Sequence, residues 1–147
     1  MPFDLSTPLF FIRHGETFYN AEGRIQGQLD TPLSPRGRAQ ATEVGALLAE
    51  AIGAQGLDAA ALAYWASPLS RAADTMTLAR EALGLPAEPF QRDPRLMELS
   101  FGRWQNLTWP EIAERDPGGM AARRKDVWNF RPPGGECYAD LAARVRT

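Results

Sequence analysis

Histidine and cysteine are almost missing from these 147 residues: each occurs once, as His14 and Cys137. A lone cysteine excludes an internal disulfide, and one cysteine with one histidine excludes a Cys/His zinc site. A carboxylate-bound hard metal has no motif behind it, and no cofactor is expected. Long apolar runs are missing as well. No stretch approaches the roughly 20 residues of a membrane-spanning helix, and the opening MPFDLSTP has neither the basic nor the apolar segment of a secretory leader. Nor is there an excess of positive charge. The formal net charge of -2 argues against the broad basic face that nucleic acids and anionic membranes require, so any anion site must be local. These absences predict a soluble, cytoplasmic protein with no nucleic-acid or membrane partner.

What is present is the composition of a globular domain, 44% hydrophobic and 23% charged, with no segment biased enough to stay disordered. The length suits one domain spanning residues 1–147. Residues 8–13, PLFFIR, read as a buried strand that opens into a loop at His14 and Gly15. Gly23, Gly27 and Pro32 break up residues 16–33 into a functional loop with room for one short helix. Ser34 and Pro35 then mark a helix start, and Val44, Leu47, Leu48, Ala51 and Ile52 follow at helical spacing, with Gly53 and Gly56 as stops.

The pattern repeats. ALAYWA (61–66) reads as a second short strand and Ser67-Pro68 as a second helix start, with Leu69, Ala72, Ala73, Met76, Ala79 and Leu83 on one face and Gly84 after it. Phe90–Arg92 suits another short strand. Thr108 and Glu111 predict a capping box, Asp116-Pro117-Gly118-Gly119 a break, and a last helix is expected from about Cys137, placing Leu141 and Val145 together. Strand, turn and helix in alternation predict the α/β class with a mainly parallel sheet, whose ligand sites lie beyond the carboxyl ends of the strands.

Two constellations fall at such ends. Arg13 and His14 stand side by side, and His14 is the only candidate for an imidazole nucleophile. The neutral ring attacks well near its ordinary pKa of about 6.5, and a hydrogen bond to one ring nitrogen fixes which nitrogen presents the lone pair. Arg71 lies in the first turn of the second helix, where an α/β arrangement could bring it beside Arg13. Two guanidinium forks with helix-terminal amides can cradle a phosphoryl group. Taken singly, His14 reads as a satisfied polar residue and Arg71 as a solvated helix residue. The aromatic set Phe101, Trp104, Trp109, Trp128 and Phe130 is read as packing rather than a substrate entrance, and Arg123-Arg124-Lys125 as a solvated face.

The stretch FFIRHGETFYNAEGRIQGQLDTPLSPRGRAQA (10–41), followed by ASPLSRAADT (66–75), RLMELSFGRWQN (95–106) and FRPPGGECYADLAARV (130–145), resembles the histidine phosphatase superfamily, the phosphoglycerate mutase-like enzymes, from about residue 9 to 146. The resemblance implies a three-layer α/β/α fold and a small phosphorylated substrate, or inorganic phosphate, as partner. It implies that His14 is phosphorylated in turnover and that Arg13 and Arg71 hold the phosphoryl group. Glu98 becomes the general acid and then the base, its pKa raised by partial burial. Asn20, Gln26 and Gly27 match positions that touch phosphate or substrate, and Gln26 stands where mutases commonly carry Thr or Ser, a lean towards hydrolysis. Cys137 replaces a serine common at that helix start and is given no catalytic role.

Complete relatives also use a second histidine, on a strand beside the first one and downstream of the last helix here. No second histidine exists in these 147 residues. The expectation is therefore a phosphomonoester hydrolase that is C-terminally incomplete or degenerate, with little turnover. The alternatives are a phosphoglycerate mutase and a non-catalytic phosphate- or partner-binding member.

Overall fold

The computed structural model describes residues 8–146. The opening segment read above for a leader lies, for residues 1–7, outside the described residues, as does Thr147. Local chemistry sets most of the helices. Thr17 and Asn20 form a reciprocal capping box around a single turn, α1 (Phe18–Ala21), which is the short helix expected in the loop. Ser34 accepts the Gly37 N–H and places Pro35 at the first turn of α2 (Pro35–Ala54). Gly53 falls within the last turn of α2. The stop comes at Gly56, whose φ of 65° takes the left-handed conformation that follows a helix end.

The strand expected at 61–66 is shorter in the structure. Asp58 caps a 3-10 turn at Ala59–Ala61, and only β1 (Trp65–Ala66) is extended and paired. Alanines serve either state, so the local cap decides. Two residues of β2 (Gln91–Arg92) pair with β1 in parallel, Trp65 opposite Gln91 and Ala66 opposite Arg92. The α/β class thus holds, with helix α3 (Ser70–Ala82) as the crossover between these strands. Its start is displaced from the expected Ser67-Pro68: Leu69 occupies the cap position in extended backbone and offers no side-chain cap.

Thr108 and Glu111 form the expected box at the head of α4 (Trp109–Arg115). Asp116 ends α4 but also caps a helix that the break signal concealed, α5 (Pro117–Lys125), by accepting the Gly119 N–H at 2.8 Å. The last helix, α6 (Tyr138–Arg146), begins where expected, and Cys137 ahead of it is buried, with its N–H donating to Asp140 at 2.8 Å.

Packing then orders the elements. Ile25, Trp104 and Ile112 are buried together, with Phe101, Leu107, Met120 and Phe130 against them. Trp104 stacks on Phe130, meets Trp109 edge to face, and donates its indole N–H to Asp116 at 3.0 Å. Trp128 stacks on Tyr138, and Arg123 lies over Trp109 at 4.7 Å. The aromatic set is packing, as read from the sequence, and one of the three basic residues covers a ring.

Residues 8–13 correct the expectation of a buried central strand. Exposure alternates along them with period two, from Leu9 at 67% and Phe11 at 89% to half-buried Phe10 and Ile12. The alternation is that of a strand. A strand also needs a hydrogen-bonded neighbour, however, and the described residues supply none to this segment, which borders an open cavity instead.

Helices α2 and α3 pack closely because Gly45 carries no side chain. A Cβ there would sit 2.7 Å from the Ala79 carbonyl oxygen and 2.7 Å from the Ala82 methyl. Gly45→Ala is expected to destabilise the fold by about 1–3 kcal/mol, as overpacking against backbone does. Gly53→Ala, on an open face of the same helix, should be neutral or stabilise by up to about 1 kcal/mol. Urea unfolding of the two variants checks this, and equal effects would show that the α2–α3 approach is not set at Gly45.

Candidate active site

The loop carrying His14 is built on glycine. Gly15 is packed so tightly against the backbone of Gly37, and Gly37 against that of Glu16, that a Cβ at either would collide with the other segment. This close approach seats the loop on the first turn of α2. Side chains then fix it: Ser34 N–H donates to the Glu16 carbonyl at 2.8 Å, Ser34 Oγ to the Glu16 carboxylate at 2.8 Å, and Glu16 N–H to Gln40 Oε1 at 2.9 Å.

His14 Nδ1 lies 2.7 Å from the Gly15 carbonyl oxygen. A carbonyl can only accept, so Nδ1 carries the proton and Nε2 is left with the lone pair. Burial lowers the His14 pKa below its ordinary 6.5, with the Gly15 bond opposing and the charges of Arg71 and Arg13 adding to the depression. The ring is therefore mostly neutral at pH 7, the state a nucleophile requires.

Arg71 is 2% exposed. Its Nη2 donates to the Gly27 carbonyl at 2.7 Å and its Nη1 to the Leu29 carbonyl at 3.0 Å. One helical turn on, Thr75 Oγ donates to the Arg71 carbonyl at 2.7 Å and accepts the Gly15 N–H at 3.1 Å. Thr75 thus ties α3 to the His14 loop. It was absent from the sequence reading, although its position four residues after Arg71 puts it on the same helix face.

Arg13, His14, Arg71 and Glu98 all border one open cavity of about 880 Å³, and Glu98 acts electrostatically on both His14 and Arg71. The expected partial burial of Glu98 is not found. Glu98 is exposed, and its Oε1 accepts its neighbour's N–H, from Leu99, at 2.8 Å. Its backbone and that of its neighbours are held by residues the sequence did not single out. Gln28 Nε2 donates to the Glu98 carbonyl at 3.0 Å, Glu136 accepts the Ser100 N–H at 2.9 Å, and Arg144 Nη1 donates to the Arg95 and Met97 carbonyls at 2.7 and 3.0 Å. Arg144 and Glu136 are themselves paired at 3.2 Å.

The other candidates separate. Asn20 borders a second cavity of about 600 Å³, which Arg13 and His14 also line. Gln26 is buried, and its Oε1 accepts from the hydroxyls of Thr17 and Thr31. Gly27 serves through its carbonyl on Arg71 and through a φ of 54°, with Gln105 occupying the space a side chain would need. Among the described residues no group of three or more His, Cys, Asp or Glu is placed to hold a metal ion, and no helix is long and apolar enough to cross a membrane.

As the chain's only histidine, His14 gives a single imidazole titration by NMR. Its midpoint is expected below 6.5, and Arg71→Ala should raise it by removing a nearby cation. Protonation then costs more in the folded than in the unfolded chain, so the His14 contribution to stability is present above about pH 6.5 and declines as pH falls through the folded midpoint. A midpoint at or above 6.5, or one indifferent to Arg71, would contradict the geometry described.

Residues 9–147 match the model of the histidine phosphatase superfamily (branch 1). The chain is 41% identical over 138 residues to the glucosyl-3-phosphoglycerate phosphatase of Mycobacterium tuberculosis, covering 94% of this chain and 56% of that protein. A structure of a mycobacterial glucosyl-3-phosphoglycerate phosphatase with VO3 superposes with a TM-score of 0.73 at 41% identity, over 90% of this chain and 60% of that one. A putative alpha-ribazole-5'-P phosphatase of Escherichia coli superposes with a TM-score of 0.74 at 31% identity, over 92% and 61%. The chain spans little more than half the length of these relatives. On the family match and these likenesses, the chain belongs to the histidine phosphatase superfamily.

Proposed function

We propose that the cavity beside His14 binds the phosphoryl group of a small phosphomonoester and that His14 Nε2 is the nucleophile of its hydrolysis. The observation that carries this reading is the Nδ1 bond to Gly15, which leaves a neutral Nε2 in a cavity shared with Arg13, Arg71 and Glu98.

In the first step the Nε2 lone pair forms a bond to phosphorus while the ester P–O bond breaks. The leaving oxygen takes a proton from the Glu98 carboxyl group, without which an alkoxide would depart slowly. Arg71 and Arg13 neutralise charge on the phosphoryl oxygens. In the second step Glu98, now a carboxylate, takes a proton from water as the water oxygen attacks phosphorus. The P–N bond breaks, its electron pair returns to Nε2, and inorganic phosphate leaves.

The named activity of the mycobacterial relative supports a phosphorylated sugar or sugar acid as the substrate class. Gln26 supports hydrolysis over mutase chemistry. The 147 residues hold one imidazole, already used as the nucleophile, so we further propose that by themselves they bind phosphate well and turn over slowly.

Inorganic phosphate and vanadate should bind the purified chain, and Arg71→Ala should weaken both by about ten- to a hundredfold, the loss of charge-assisted hydrogen bonds. A labelled phosphomonoester should leave an acid-labile label on the protein, absent in His14→Ala. With 3-phosphoglycerate, release of free phosphate marks a hydrolase, and appearance of 2-phosphoglycerate would replace the hydrolytic reading by the mutase. Phosphate binding indifferent to Arg71→Ala would overturn the site assignment.

A further inference from the structure

Arg71 is the most enclosed of the cations beside His14, and what holds it is a loop rather than its own helix. Gly27 and Leu29 supply the two carbonyls that accept from its guanidinium. Those carbonyls can orient Arg71 only if the loop keeps a fixed distance from the head of α3. Nothing within α3 arranges this, because Leu69 at its cap position has no side chain able to accept the first free amides.

Asp30 closes the gap. From the end of the same loop, and forty positions away in sequence, its Oδ1 accepts the Ser70 N–H at 2.7 Å. The helix head thus holds the loop through backbone to Asp30, and the loop holds Arg71 through two carbonyls. These three bonds form a closed ring across the phosphoryl side of the cavity. Asp30 also acts electrostatically on Arg71. Asp30 itself is exposed, so burial of its side chain does not account for its placement.

We propose that Asp30 is a positioning residue for phosphoryl recognition: by capping α3 from outside, it fixes the loop carbonyls that aim Arg71 at the group bound beside His14. This rests on the reading of Arg71 as a phosphoryl-binding side chain. It differs from a simple field effect in sign. Removing an anion near a phosphate site would by field alone tighten phosphate binding and leave the His14 midpoint unchanged or lower. Loosening Arg71 does the reverse, because a cation moves away from both.

The test uses the 147-residue chain with Asp30→Ala and Asp30→Asn. The asparagine keeps an oxygen acceptor for Ser70 and loses only the charge. Asp30→Ala is expected to weaken inorganic phosphate binding about fivefold, the usual scale for a lost helix cap, and to raise the NMR midpoint of the lone histidine. Asp30→Asn should bind phosphate as well as the parent or better, with the midpoint unmoved or lower. Tighter binding in Asp30→Ala, or an asparagine variant as weak as the alanine one, overturns the proposal. Should Asp30→Ala not fold, Ser70→Pro, which removes the donated N–H at the first helical position where proline is tolerated, takes its place with the same two expectations. A parent chain that binds no phosphate refutes the functional reading, yet the direction of the midpoint shift still decides whether Asp30 aims Arg71.

Discussion

The constraint from which the site follows is the burial of one positive charge. Arg71 is almost wholly enclosed, and among the described residues no carboxylate lies within ion-pair distance of it. Carrying an unpaired guanidinium out of water is costly, and burial does depress the Arg71 pKa, although an arginine stays protonated. Two backbone carbonyls recover part of the lost hydration. Three of its five N–H donors remain, so the arrangement is balanced best when an anion completes it. A protein that needed Arg71 only for stability would have paired it. Leaving it short of a counter-charge while fixing its direction supports the proposed anion site, and its charge adds to the burial that lowers the His14 pKa.

Much of this could be read in the sequence where the cause is local. The box at Thr108, the Ser34-Pro35 start and the stops at Gly56 and Gly84 all act within three or four residues, and these helix ends lie where expected, whereas Gly53 falls inside α2. The failures have non-local causes. Helix α3 begins at Ser70 rather than near Ser67 because its cap comes from Asp30 in another loop. Helix α5 was hidden because Asp116-Pro117 ends one helix and caps the next with the same side chain. Residues 8–13 have the period of a strand but no paired neighbour among the described residues, and pairing is a property of two segments. At the site, His14, Arg13 and Arg71 were legible as residue types and Glu98 only through the family resemblance, and all four border one cavity. Thr75, Asp30, Gln28, Glu136 and Arg144 were not, because their work is to hold backbone, which leaves no signature in the residue held.

The exposure of Glu98 separates two kinds of control. A buried acid has its proton affinity set by desolvation, whereas an exposed one depends on being in the right place. The structure invests in place: residues 94–100 are held by Arg144 and Glu136 near the chain's far end and by Gln28 from the His14 side, so that three separated stretches converge on the backbone around one carboxylate. The side chain itself is exposed and held by one bond, from the Leu99 N–H, so on the proposed reading a single weak contact gives way as it turns from a leaving oxygen to a water molecule.

The residues around the cavity therefore differ in enclosure as well as in chemistry. Gly15, Arg71 and Thr75 are buried, and the Thr75 hydroxyl joins the Gly15 N–H to the Arg71 carbonyl, which on the proposed reading suits a group that is the same in every phosphomonoester. Glu98, Leu9 and Phe11, which border the same cavity, are exposed. Binding energy that recognises the common phosphoryl group cannot distinguish one ester from another, since it contributes equally to all. On that reading, selection among substrates falls to whatever lines the exposed part of the cavity.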